Sequence, residues 1–165
     1  MADRRQILLA AGGPGLVALA VSVAVIGPSD FLLPERSTTV EESPTGGDVL
    51  KTGSFVGTDH DVSGQVSLVL TEGGLALRFE NYSQQQGPDV FVYVTPAETP
   101  DSGSEINDGR KVRIDGGADN GESTKEGTFT QPLPEGVSAE DINGVGVWCD
   151  RFGVPFGYAT LSPAG

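Results

Sequence analysis

Hydrophobic and polar positions follow two regimes along this chain. From Gln6 to Ser29 no side chain is charged, and Ile7–Ile26 (ILLAAGGPGLVALAVSVAVI) is apolar almost throughout. At the rise of an α-helix this run matches the roughly 30 Å hydrocarbon core of a bilayer, which predicts one transmembrane helix. Pro14 weakens such a helix in water but is tolerated in a membrane. Arg4 and Arg5 precede the run, and Asp30, Glu35, Glu41 and Glu42 follow it. This asymmetry places the N-terminus in the cytoplasm and the remaining chain outside. The competing reading is a cleaved signal peptide with Ala18-Leu19-Ala20 at its cleavage site. The apolar run continues past that site, which favours a retained anchor.

After Lys51 the pattern changes to period-two alternation, the mark of strands with two distinct faces. Gln65–Leu70 (QVSLVL) places Val66, Leu68 and Leu70 on one face, and Leu75–Phe79 (LALRF) does the same with Leu75, Leu77 and Phe79. Asp89–Val94 (DVFVYV) is apolar on both faces, as a central strand requires. Lys111–Ile114, Gly127–Leu133, Gly144–Cys149 and Phe156–Leu161 supply further short runs. Turn signals separate them at Gly73-Gly74, Gly87-Pro88, Gly116-Gly117 and Gly153. The spacing predicts an all-β domain, a single antiparallel β-sandwich of about seven or eight short strands. One helical turn is expected at Ser138–Asp141, which reads as a capping box. The linker Pro34–Asp48 (PERSTTVEESPTGGD) is too polar to bury a core. The organisation expected is an anchor over 1–33, a flexible acidic stalk over 34–50 and the β domain over 51–165.

Composition narrows the function. Lys+Arg 10 against Asp+Glu 23 gives a net charge of −13, which argues against nucleic acid as a partner. Lys51, Lys111 and Lys125 are the only lysines. An acidic, lysine-poor surface suits a protein that stays soluble in high salt, so a halophilic source is expected; an acidic mesophilic protein is the blander reading. One cysteine cannot close an intramolecular disulfide. Neither zinc-type Cys/His spacing nor a nucleotide-binding, metalloprotease or serine-hydrolase motif occurs.

Candidate chemistry gathers at the C-terminal end. Gly144–Leu161 (GVGVWCDRFGVPFGYATL) holds the single tryptophan, Trp148, and the single cysteine, Cys149. Alternation puts Val145, Val147 and Cys149 on one strand face and Gly146, Trp148 and Asp150 on the other. Spacing alone favours a packed core thiol, although Asp150 and Arg151 follow at once and place Cys149 near a strand end. The single histidine, His60, sits between Asp59 and Asp61 in a turn before a strand. A histidine there is a metal or haem ligand if the fold brings it beside Cys149, and otherwise an ordinary surface residue. The acidic segments TPDSGSEINDG and DGGADNGES lack calcium-loop spacing and read as solvated loops. Asn81-Tyr82-Ser83 is a glycosylation sequon, usable only in an external domain.

These residues also match a known pattern in order. Gly53 and Phe55 precede His60 and Ser63-Gly64, then come Leu75, Leu77 and Phe79. Gly87-Pro88-Asp89 leads into Val90, Val92, Tyr93 and Val94, and Leu133-Pro134 follows. The pattern closes on Val145, Val147, Trp148-Cys149, Phe152, Val154, Phe156-Gly157, Ala159 and Leu161. In this, Gly53–Leu161 resembles the DM-thirteen family, the electron-transfer-type module found beside DOMON domains in Skeletor-like proteins. The resemblance implies an extracytoplasmic β-sandwich with a redox role and Cys149 as its working residue. A single thiol can ligate haem or copper, or cycle through sulfenic acid or a mixed disulfide. Cys149 and His60 are then the candidate cofactor ligands, and Trp148, Phe152 and Phe156 the candidate pocket walls. The function expected is a membrane-tethered redox module that exchanges electrons with a partner protein. The alternatives are a non-catalytic cell-surface interaction domain in which Cys149 is structural, and a calcium-dependent binding domain.

Overall fold

The computed structural model describes residues 37–43 and 46–165. The expected transmembrane helix lies outside the described residues. Among those described, no helix is long and apolar enough to cross a membrane.

The strands run β1 (Thr38–Glu41), β2 (Asp48–Gly57), β3 (Val62–Thr71), β4 (Gly74–Gln84) and β5 (Val90–Thr95), then β6 (Arg110–Val112) and β7 (Lys125–Pro132). The chain ends with β8 (Gly144–Cys149), β9 (Val154–Thr160) and β10 (Ser162–Pro163). A short helix α1 (Gly103–Asn107) and a helical turn at Ala118–Gly121 flank β6. The single turn expected near Ser138 is present as Ala139–Asp141, with Ser138 before it.

The all-β expectation holds, but the sandwich is corrected. The ten strands form one sheet in the order β1-β7-β4-β3-β2-β9-β8-β5-β6, with β10 also on β2. The sheet curls into a half-barrel. Its bend runs through β2, whose Asp48–Ser54 portion pairs with β3 while Phe55–Gly57 pair with β9. Val66, Leu68, Leu77, Phe79 and Phe129 of one limb meet Val92, Val94, Val145, Val147 and Ala159 of the other in a single core. Alternation reports which residues share a face; it does not report that one long strand serves both limbs.

The stalk is corrected in part. Thr38–Glu41 pairs in parallel with Lys125–Thr128 of β7, so the sheet is not purely antiparallel. Lys125 Nζ meets Glu42 Oε1 at 2.7 Å beside it. Gly127 makes the pairing feasible: its φ is +98°, and a Cβ there would sit 2.1 Å from the Val40 carbonyl oxygen. β1 is polar because it covers the otherwise open edge of β7, where hydrogen bonding rather than apolar burial holds it.

Candidate functional site

Cys149 is the last residue of β8, opposite Val90 of β5 and Val154 of β9. It faces the core and has 0% exposure. Its Sγ donates to the Pro88 carbonyl oxygen at 3.1 Å. That carbonyl belongs to the Gly87-Pro88-Asp89 turn, which fits here for two local reasons. A Cβ at Gly87 would lie 2.6 Å from the Phe156 ring, so the turn closes over that ring only with glycine. Asp89 then adopts φ +55°, a left-handed conformation that aspartate tolerates better than most residues.

Asp89 connects the turn to the residues after Cys149. Its carbonyl accepts the Asp150 N–H at 2.9 Å, and its carboxylate accepts Arg151 Nε at 2.7 Å. Its own N–H donates to Glu122 Oε1 at 2.8 Å. The hairpin turn after β8 closes with Gly153 N–H on the Cys149 carbonyl. Thiol, turn and guanidinium thus form one clamp over the end of β8.

The other expected site residues disperse. Trp148 points to the opposite sheet face, where it packs with Phe91, Tyr93 and Ile106. Phe152 sits on the hairpin tip and is 66% exposed. Neither lines the thiol; of the three expected walls, Phe156 alone shares the core with Cys149. His60 stacks on the Phe156 ring at 3.8 Å and lines an open cleft of about 940 Å³ with Asp59, Asp61, Ser83 and Gln85. His60 and the Gly87 turn therefore meet the same ring. Among the described residues no group of three or more His, Cys, Asp and Glu could hold a metal ion. Thiolate copper sites need imidazoles beside the sulfur, and haem needs a cavity there. A fully enclosed thiol with a carbonyl as its partner fits neither group.

Both acidic segments are more ordered than solvated loops. Ser102-Gly103-Ser104-Glu105 forms a capping box at α1, with Glu105 Oε2 accepting the Ser102 N–H at 3.1 Å and the Ser102 hydroxyl at 2.7 Å. The hydroxyl bond, chiefly, holds the Glu105 carboxyl below its usual range. This Ser-x-x-Glu signature was legible in the sequence. In the second segment Glu122 and Ser123 are buried. Ser123 Oγ meets Tyr82 Oη at 2.8 Å, and Glu122 holds the Asp89 N–H. Asn81 of the sequon is exposed at the β4 irregularity, with φ +51°.

Two tyrosines carry an alkaline signature. Burial, foremost, raises Tyr82. Burial also raises Tyr93, aided by its hydroxyl's hydrogen bond to Asp150. A folded value above the unfolded one contributes stability that is fully present below about pH 10 and is lost as pH rises beyond it. The melting temperature is therefore expected to fall steeply above about pH 10, with phenolate absorbance from two of the three tyrosines appearing only as the fold is lost. Complete, reversible ionisation of all three in the folded chain would contradict this.

A family model described as electron transfer DM13 covers residues 54–161. No curated protein matches, and no solved structure does.

Proposed function

The chain belongs to the electron-transfer DM13 family, and from that membership we propose that it is a membrane-tethered, extracytoplasmic electron-transfer module working through the Cys149 thiol. One observation carries the reading. Cys149 Sγ, the Asp150 N–H and Arg151 Nε all bond to the single dipeptide Pro88-Asp89. Core packing alone would need only a small apolar side chain at this position. A clamp built around the thiol supports a role for its chemistry.

The clamp sets when the thiol can react. Closed, it keeps Sγ away from solvent and its proton directed at the Pro88 carbonyl. The Asp89–Arg151 pair is exposed and screened by solvent, so the hairpin turn is the element that opens at least cost. Opening presents the thiol to a redox partner protein. Ile7–Ile26 supplies the membrane attachment in this reading, and the charge asymmetry around it puts the domain outside the cytoplasm. Protease added to intact cells would then remove the domain.

Redox titration of the full chain on an electrode tests the role of Cys149. A couple that disappears in a folded Cys149→Ser variant is expected. The same couple in that variant would remove the thiol from the pathway. The full burial of Cys149 favours a second reading, an interaction domain with a structural cysteine. It predicts alkylation of Cys149 only on global unfolding and no thiol-dependent couple.

A further inference from the structure

We propose that Tyr93 is a proton-coupled electron relay, with the Asp150 carboxylate as the acceptor of its phenolic proton. The relay rests on the electron-transfer reading above, but it is a different site on the opposite sheet face.

Tyr93 lies in β5 with its ring in the outer apolar cluster beside Phe91, Ile106 and Trp148. Its hydroxyl donates to Asp150 Oδ1 at 2.8 Å. The second Asp150 oxygen is held by Lys111 Nζ. That ammonium also sits 4.0 Å from the Phe91 ring centroid and 5.7 Å from that of Tyr93. Asp150 is thus fixed from two sides, one oxygen on the cation and one on the phenol. The Asp150 backbone N–H is fixed too, on the Asp89 carbonyl. From Cys149 to the Tyr93 oxygen the connection is one peptide bond, the Asp150 side chain and one hydrogen bond. Trp148 stands opposite Phe91 across the strands, which leaves it diagonal to Tyr93 on the same face. Tyr93 and Trp148 therefore share the outer face, and the Tyr93 hydroxyl is bonded to the Asp150 carboxylate.

A phenol that loses an electron becomes strongly acidic, so its proton must leave with the electron or the step is prohibitively costly. Here the acceptor is already hydrogen-bonded. The oxidant is a one-electron metal centre on a partner protein. It takes one electron from Tyr93; the phenolic O–H bond breaks and an O–H bond forms at Asp150 Oδ1. The product is a neutral tyrosyl radical beside a carboxylic acid. One electron from a reduced one-electron metal centre on the donor protein, which is itself oxidised by one electron, returns the proton along the same hydrogen bond and restores both groups, with no atom gained or lost. Lys111 is a positioning residue that holds Asp150 in reach.

The test oxidises the full chain with a flash-generated ruthenium(III) polypyridyl complex, followed by transient absorption and freeze-quench electron paramagnetic resonance. The native chain is expected to give a neutral tyrosyl radical. Tyr93→Phe, which removes one hydroxyl, is expected to lower that signal at least about tenfold, and Asp150→Asn to slow its appearance at least about tenfold and to abolish its solvent-deuterium effect. Near-ultraviolet circular dichroism verifies that each variant is folded. An unchanged signal in Tyr93→Phe, or an unchanged rate in Asp150→Asn, overturns the relay. Cys149→Ser separates the two sites. A tyrosyl signal that survives there but not in Tyr93→Phe upholds the relay even if the thiol proves inert. A signal lost in Cys149→Ser yet retained in Tyr93→Phe overturns the relay and leaves the thiol reading standing.

Discussion

In the folded chain, Cys149 is expected to react with a small alkylating reagent at least about 100-fold more slowly than in denaturant, which corresponds to an opening cost of about 3 kcal/mol or more. The thiol has no exposed surface and is bonded to the Pro88 carbonyl. Reaction therefore requires the hairpin turn after β8 or the Gly87-Pro88-Asp89 turn to move. Asp89→Ala removes the bond to Arg151 and puts alanine at φ +55°, where it is less at ease than aspartate. The two effects together are expected to speed alkylation about tenfold, while the global unfolding midpoint falls only modestly. Asp89→Asn tolerates the backbone conformation and removes only the charge, so it should fall between alanine and the native residue. Mass spectrometry of labelled protein against time measures all three. Equal rates in native chain and denaturant would mean that the clamp does not close over the thiol. If acceleration in Asp89→Ala merely tracked global stability, opening would be global and the interaction-domain reading would gain.

Phe79→Ala is expected to lower the free energy of unfolding by about 3–5 kcal/mol. Phe79 has 0% exposure. Its ring lies 4.6 Å from that of Phe129, 5.1 Å from Tyr82 and 6.2 Å from Phe55. These residues come from β2, β4 and β7, so the cavity would open where the limb that includes β7 is held to the bend. Relaxation is limited because Tyr82 is tied to Gln84 and Ser123 by hydrogen bonds. Against a typical total of about 5–15 kcal/mol, such a loss leaves the domain marginal. Urea unfolding with an unchanged denaturant slope would measure it. A loss below about 1.5 kcal/mol would show that this cluster is not the centre of the core.

Several features were present in the sequence because they are local. Alternation placed Leu77 and Phe79 on one face of their strand and made Asp89–Val94 apolar on both, and the structure buries Val90 through Val94 on every side. The same alternation separated Cys149 from Trp148 onto opposite faces, so the two were never able to line one pocket. Ser102-x-x-Glu105 also carried its helix start in the open, masked by the acidic residues around it. Sequence order carried the family pattern as well.

Tertiary structure decided the rest, because it depends on residues distant in the chain. β1 is too polar to announce itself and exists because β7 offers an open edge with Gly127 at the crossing. β2 joins both limbs, which turns an expected two-sheet sandwich into one curled sheet. The clamp joins Pro88 and Asp89 to Cys149 and Arg151, and Glu122 joins them from a third segment. His60 reaches Phe156 rather than the thiol, and Tyr93 reaches Asp150 across a strand pair. What the sequence by itself determined was the set of strand faces, and with it the face on which Cys149 stands. Which groups surround that residue was set by long-range strand register, in which each backbone pairing fixes many side-chain meetings at once and leaves no local mark.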